Sequence, residues 1–351
     1  MFERFLFGIV NGYETFDNKI IFKYYFNKNP DDKLKEIMNN HEIIIFADYT
    51  NLKQYKQSYF NEKTGSNPKY WEGSRFNKVL ELQPNTKKLY LGNDFNNKII
   101  FNYKLEFILF GFNYNKTTKF SENILKAIFP HMSLFNSEIV LNNKLEYLEL
   151  GSDFNNNIKL NENLKYLRTG ICFNQNLMLN TNLINLYFGE KFNQPIQLND
   201  KLETLMFGKK FNQPFQLNNN LVNLYLGNEF NQKLVVHNTS KLKYLFLGED
   251  FTNDLYILGE NIYCITMTET YNNNKNILFG KNIIDSKKIS TLKDTGIFLI
   301  SILLDKNVVN TEKISSLKDD PINLNKIYGL DNEHQINYDK EKYIHVLFTP
   351  I

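Results

Sequence analysis

Apolar residues recur through the middle of this chain with a period of nineteen residues. A Phe-Asn pair marks each period, and from Phe135 to Phe230 every step between successive pairs is nineteen residues. The pairs begin at Phe76, Phe95, Phe135, Phe154, Phe173, Phe192, Phe211 and Phe230, with Tyr114 filling the gap after Phe95 and weaker members at Phe251 and Tyr271. A register kept over about ten units predicts a repeat architecture.

Inside each unit the apolar positions also keep their places. In the unit 192–210 they are Phe192, Ile196, Leu198, Leu202, Leu205 and Phe207, followed by Gly208. The phrase Leu-x-x-Leu-x-Phe-Gly alternates at its end, which predicts a short strand with two inward side chains. We expect the backbone to turn at the glycine, because glycine can adopt a positive φ. We expect the asparagine after each phenylalanine to bond backbone groups of the next coil.

A nineteen-residue unit is too short to fold alone, because ordering its backbone costs more than its few apolar side chains contribute. Stacking overcomes this deficit, since it buries both faces of each unit. The repeat therefore predicts a β-rich solenoid of about ten units with one parallel sheet. A full helix hardly fits into so short a coil, so we expect an extended or 3₁₀ return path.

These residues resemble the FNIP repeat, a leucine-rich-repeat relative of social amoebae and of giant DNA viruses that infect amoebae. Phe192-Asn-Gln-Pro and Phe211-Asn-Gln-Pro carry the resemblance, together with the Leu-x-x-Leu-x-Phe/Leu-Gly after each. It covers roughly residues 73–285 and implies a leucine-rich-repeat-like, right-handed solenoid with a protein-interaction role and no known catalysis. Two departures are that the proline stands in only two units and that the usual FNIP unit is somewhat longer. Some relatives carry an F-box that opens with Leu-Pro, but residues 1–72 contain no Leu-Pro, so that role is not carried over.

We predict three regions: an N-terminal capping or effector module over 1–72, the solenoid over 73–285, and a C-terminal cap and tail over 286–351. Asn29-Pro30 and the acids that follow predict a capped helix through Met38, and residues 42–47 predict a buried strand, which makes the first region a small α/β cap. In the last region, an apolar helix over Thr295–Asp305 and a polar helical stretch over 312–319 predict a partly helical cap.

Composition and charge exclude several classes of protein. Of 351 residues, 42% are hydrophobic, which is enough for a packed core. The 41 basic and 38 acidic residues nearly balance and are scattered, which disfavours a nucleic-acid surface. Two cysteines, Cys172 and Cys264, favour a reducing compartment. The longest apolar run is about half of the ~20 residues that a spanning helix needs. We predict no membrane association and a cytoplasmic location, in the host if the protein is viral, and the same composition suits a virion or a nucleus.

Catalytic chemistry is not indicated. The five histidines lack metal-ligand spacing, and the glycines of the repeat read as turn residues rather than as a phosphate loop. Nucleophile-elbow, Walker and zinc-protease motifs are missing. We predict no catalytic, cofactor-binding or metal-binding residue, no cofactor, no small-molecule substrate and no enzyme activity.

The partner-binding site is predicted on the outward side of the strands, in two columns that flank the central apolar residue. The first column contains Phe107, Tyr147, Tyr166, Asn185, Thr204, Asn223 and Tyr244, and the second contains Tyr90, Leu109, Glu149, Arg168, Tyr187, Met206, Tyr225 and Phe246. Such a content of Tyr, Phe, Met and Arg is typical of interface hot spots, although aromatic residues also favour strands and stack on like neighbours. We assign partner binding to Tyr90, Phe107, Tyr147, Tyr166, Arg168, Tyr187, Met206, Tyr225, Tyr244 and Phe246.

The leading hypothesis is a non-enzymatic scaffold or adaptor that binds a protein partner on this strand face. A substrate receptor of a ubiquitin ligase, with residues 1–72 as the linker, and a structural virion component are the alternatives. A single-stranded RNA surface would use the tyrosines, but the weak basic charge disfavours it.

Overall fold

The computed structural model describes residues 12–23, 25–46, 74–253 and 255–258, together with the backbone of strands at 264–268, 276–279, 282–285 and 299–303. The chain divides into two compact units, Met1–Asn182 and Leu183–Ile351, called unit 1 and unit 2 below. Each unit is a leucine-rich-repeat-like β-solenoid with a parallel front sheet, which confirms the fold class predicted from the repeat.

Unit 1 places one strand of each coil in a front sheet. Its elements in chain order are β1 (Tyr13–Phe16), β2 (Lys19–Phe22), α1 (Asp32–Asn39), β3 (Ile43–Ile45), β4 (Leu80–Glu81), β5 (Lys88–Tyr90), β6 (Ile99–Ile100), β7 (Phe107–Leu109), β8 (Thr118–Lys119), β9 (Lys126–Ile128), β10 (Ile139–Val140), β11 (Tyr147–Glu149) and β12 (Tyr166–Arg168). The front sheet has the order β1-β2-β3-β5-β7-β9-β11-β12, in which only β1 and β2 are antiparallel. The pairs β4–β6 and β8–β10 form short parallel back sheets.

Unit 2 repeats this plan. Its elements are β13 (Asn185–Tyr187), β14 (Thr204–Met206), β15 (Asn223–Tyr225), β16 (Leu234–Val236), β17 (Tyr244–Phe246), β18 (Leu255–Ile257), β19 (Cys264–Thr268), β20 (Asn276–Phe279), β21 (Asn282–Asp285) and β22 (Leu299–Leu303). The front sheet β13-β14-β15-β17-β19 is parallel, and β22 joins it antiparallel to β19. The back sheet has the order β16-β18-β20-β21.

The return path of the coils is extended where the back strands form. In the coils over 154–218 it is irregular, without strand or helix. This agrees with the expectation that a nineteen-residue coil has no room for a helix.

A column of aromatic rings fills the core of each unit. The middle residue of each front strand points inward, and Leu148 and Leu205 are fully buried examples. The rings of the Phe-Asn pairs stack from coil to coil, with centroids 5.7–6.2 Å apart from Phe76 to Phe173 and 6.0–6.1 Å apart from Phe192 to Phe251. Each coil therefore buries the ring of its neighbour, which is why no coil is stable alone.

The asparagine of each Phe-Asn pair joins one coil to the next. The Oδ1 of Asn136 accepts the backbone N–H of Asn155 at 2.9 Å. The Oδ1 of Asn193 accepts the N–H of Asn212, also at 2.9 Å. These bonds satisfy backbone groups that the short strands leave over, so the predicted asparagine column is confirmed.

A second asparagine column, at the corner before the front strand, was not predicted. The buried Asn142 donates from Nδ2 to the carbonyls of Ser121 and Ile124. Its Oδ1 accepts the N–H of Leu145 at 2.8 Å. Asn218 makes the equivalent bonds in unit 2. The signal for this column is a Leu-Asn step that recurs every nineteen residues, at Asn161, Asn180, Asn199 and Asn218.

The repeat glycines serve close stacking rather than a positive φ. Among the described residues, positive φ occurs at Gly12 and Asp17 and at none of the repeat glycines. A Cβ on Gly170 would overlap the carbonyl oxygen of Gly151, and one on Gly227 would overlap that of Gly208. The turn was predicted at the correct residue, but the cause is the approach of neighbouring backbones.

The ends of the chain bring one refinement and one correction. The helix predicted after Asn29-Pro30 forms as α1, but its N-cap is Asp31, whose Oδ1 accepts the Leu34 N–H at 2.9 Å. The strand predicted over 42–47 forms as β3. The helix predicted over Thr295–Asp305 is wrong, because β22 pairs there with β19. A short apolar run suits a buried helix or a strand, and the open edge of β19 supplies partners for a strand. The polar stretch at 312–319 lies outside the described residues.

Candidate interaction face

The outer side of each front sheet carries two columns of side chains on either side of the buried central residue. Strand geometry points these residues away from the core. The parallel register sets equivalent positions side by side, so Tyr147 lies beside Tyr166 and Glu149 beside Arg168. In unit 2 it sets Thr204 beside Asn223. The structure therefore brings the predicted residues together within each unit.

The columns are less exposed than the sequence led us to expect. The half-buried members of the predicted site are Tyr90, Phe107, Tyr147, Arg168, Met206 and Tyr244. The buried members are Tyr166, Tyr187, Tyr225 and Phe246, which are 8% exposed or less. Adjacent coils hold the rings against one another, as Tyr147 and Tyr166 show with centroids 4.1 Å apart and planes within 4°. Exposure was overestimated because a side chain that leaves the core still packs on its neighbours in the stack.

One cluster in unit 1 combines aromatic and charged groups. Tyr147 lies between Lys126, whose Nζ is 3.7 Å from the ring centroid, and the ring of Tyr166. The hydroxyl of Tyr147 donates to the carboxylate of Glu149. Burial, and then the charge of Glu149, raises the pKa of Tyr147 well above its usual value. The phenol therefore stays protonated and keeps this hydrogen bond.

The outer columns of unit 1 carry an excess of positive charge. From β5 to β12, Lys88, Lys126 and Arg168 stand in these columns with one carboxylate, that of Glu149. Arg168 is half-buried beside Glu149, and no ion pair joins it to any of the described residues. A guanidinium in this position offers its donors to a ligand carboxylate.

The outer columns of unit 2 contain no charged residue in β13, β14, β15 or β17. Amide and hydroxyl groups line the first column, where Asn223 Nδ2 donates to Thr204 Oγ1 at 3.1 Å. Aromatic rings and Met206 line the second column, and Tyr225 and Phe246 lie with centroids 6.4 Å apart. The coils of the two units therefore share one backbone plan but present different chemical groups on their outer side.

Other kinds of site find little support in the described part of the chain. It holds no cluster of three His, Cys, Asp or Glu able to bind a metal ion. Cys172 is half-buried at the turn after β12. Over the same residues, no helix has the length and apolar character needed to cross a bilayer.

Stacked coils of nineteen or twenty-one residues with one parallel front strand each define a leucine-rich-repeat-like β-solenoid. The chain is similar to the crystal structure of CroV588, described as a novel circular LRR protein, with 22% sequence identity and a TM-score of 0.40. The similarity covers 73% of this chain and 50% of that one, so the chain spans about half of its length. No protein-family model and no curated protein matches the sequence.

Proposed function

We propose that the chain is a non-enzymatic scaffold or adaptor that binds a protein partner on the outer side of its front sheets. The observation that supports this proposal is the alignment, coil after coil, of Tyr, Phe, Met and Arg side chains in register on that side. Rigid aromatic groups lose little conformational entropy on binding, and aromatic residues and Arg dominate interface energies. Leucine-rich-repeat-like solenoids are typical protein-interaction scaffolds and are usually not enzymes.

The half-buried residues are the proposed contacts, and the buried ones hold them in place. Tyr90 and Tyr244 keep part of their rings accessible, one in each unit. Tyr187 and Tyr225 are 7% and 2% exposed, so alanine at these positions removes packing as well as any contact. They are therefore poor choices for separating binding from stability.

We also infer that the repeat is of the FNIP type. The Phe-Asn register, with a stacked ring and a bonded asparagine in every coil, supports this assignment. A cytoplasmic protein of an amoeba, or of a giant virus that infects one, fits the resemblance and the two cysteines. The ubiquitin-ligase receptor and the virion component stay as alternative hypotheses, and the described residues favour neither.

The test is recovery of a partner from host-cell lysate by the tagged full chain. We expect Tyr90→Ala and Arg168→Gln to reduce recovery at least fivefold, because both side chains belong to the front face. Tyr103→Ala is the matched control, since Tyr103 is 64% exposed and lies at a corner of the coil, off the front strands. Thermal unfolding of each variant shows whether the fold survives. Equal recovery by all of these variants would contradict the proposal.

A further inference from the structure

Positive charge recurs on the front face of unit 1 at every second coil. Lys88 lies on β5, Lys126 on β9 and Arg168 on β12, while β7 and β11 intervene with Phe107 and Tyr147. Neighbouring strands are about 4.8 Å apart, so successive cations are separated by roughly 10 Å along the stack. The face is therefore a row of cations with an aromatic ring between each pair.

Most carboxylates near this row are engaged by other side chains. Glu149, the carboxylate within it, accepts the hydroxyl of Tyr147. At the starts of the strands the acids are paired, Glu42 with Lys87 at 2.7 Å and Glu146 with Lys165 at 2.9 Å. Glu106 is exposed directly before β7, beside Lys87, and the exposed Asp94 and Asp153 lie beyond the strand ends.

The neighbours of Tyr147, one of the two aromatic rings of the row, cover both of its faces. Lys126 covers one face of Tyr147 and the ring of Tyr166 covers the other. Phe107 lies 5.0 Å from Tyr90, centroid to centroid. Nucleic-acid bases bind by stacking on open faces. A peptide whose carboxylates are separated by apolar or proline residues therefore fits this face better than nucleic-acid bases do.

We propose that the front face of unit 1 binds an extended acidic segment of a partner protein in polyproline II conformation, with a carboxylate at every third residue. Polyproline II repeats after three residues and about 9.3 Å, which matches the roughly 10 Å step between cations. Arg168 stands at the third strand position rather than the first, an offset of about 7 Å that its long side chain spans. The inference rests on the proposed function and specifies the ligand of its unit 1 face.

The probe is a capped synthetic peptide of four Glu-Pro-Pro repeats, titrated into the full-length chain and followed by calorimetry or fluorescence anisotropy. A second peptide has the same composition with its four glutamates consecutive, and a third replaces Glu by Gln. A helical peptide with glutamates seven residues apart has a similar carboxylate spacing. We expect the Glu-Pro-Pro peptide to bind tightest and to weaken as salt increases.

The variant is Lys88→Glu/Arg168→Glu, which reverses both ends of the row. Its matched control is Lys98→Glu/Lys119→Glu, which makes the same charge change at exposed residues of unit 1 outside the front sheet. We expect the front variant to lose roughly tenfold or more in affinity and the control to stay within about twofold. Unfolding curves confirm that both variants are folded, and Arg168→Gln gives a milder second test.

Several outcomes would overturn the inference. They are no binding of the Glu-Pro-Pro peptide, equal binding of the clustered peptide, tighter binding of the helical peptide, or equal loss in the two variants. The proposed function fails separately. If Tyr90→Ala still abolishes partner recovery while the acidic peptide does not bind, the scaffold role stands and the acidic ligand is wrong.

Discussion

Units 1 and 2 share their inner positions and differ in their outer ones. Both stack the phenylalanines of the Phe-Asn pairs about 6 Å apart and join coils through asparagine bonds. On the outer side of the front sheet, unit 1 presents cations between aromatic rings, whereas unit 2 presents uncharged amides beside rings and Met206. Stacking fixes every inward residue because each coil must fit the next, while the outer columns are free to carry different chemistry.

The largest loss of stability is expected when a stacked ring is removed from the core that both units share. Phe154→Ala in unit 1 and Phe211→Ala in unit 2 should each lower the free energy of unfolding by about 3–5 kcal/mol, because both rings are fully buried between like rings. Chemical denaturation measures the change. Met178→Ala, at a side chain 90% exposed, is the control and should change stability very little. A large loss in one unit alone would contradict the equivalence of the two cores.

The next largest loss of stability is expected from substitutions of the repeat glycines. Gly170→Ala and Gly227→Ala should each lower the free energy of unfolding by about 1–3 kcal/mol. The added methyl group meets a carbonyl of the preceding coil, so the two backbones must separate. Thermal unfolding of both variants is compared with Lys209→Ala, an exposed neighbour of the repeat glycines. If the glycine variants are as stable as the control, close backbone approach is not the reason for glycine.

The smallest expected loss of stability concerns one coil of unit 1 whose core residues differ from those of the other coils. Tyr114 replaces the usual Phe, and its hydroxyl is 2.8 Å from Oγ1 of the buried Thr118, where other coils have an apolar residue. Thr118→Ile should lower the free energy of unfolding by about 1 kcal/mol, since it leaves the Tyr114 hydroxyl buried alone. Tyr114→Phe should cost less, because Thr118 Oγ1 still donates to the carbonyl oxygen of Lys116 at 2.7 Å. The double variant restores the common pattern and should recover most of the loss. Additive losses in the double-mutant cycle would show that the two side chains are not coupled.

Much of the fold could be predicted because one signal was repeated many times. The Phe-Asn register gives the coil length, the buried ring and the bonded asparagine without any knowledge of the structure. The role of Gly170 could not be predicted in the same way, since contact between neighbouring backbones is a property of the stack rather than of one coil. Asn142 was missed because a short polar residue in a loop suggests a turn.

The candidate face was only partly predictable. Alternation along each strand correctly assigned Tyr147 and Arg168 to the outer side. Their burial depends on the rings and cations of adjacent coils, and the sequence of one strand does not contain that information. The strand at Leu299–Leu303 was missed for a related reason, because the partner β19 decides its conformation.

Hydroxyl-radical footprinting of the full chain, with and without its captured partner, tests the central claim most directly. The method reports the accessibility of Tyr and Met side chains, and these lie both on and off the front sheets. We predict lower modification of Tyr90, Met206 and Tyr244 in the complex, with no change at the exposed Tyr103 and Met178. Protection of Tyr103 and Met178 with unchanged front residues would place the partner on another surface and contradict the account.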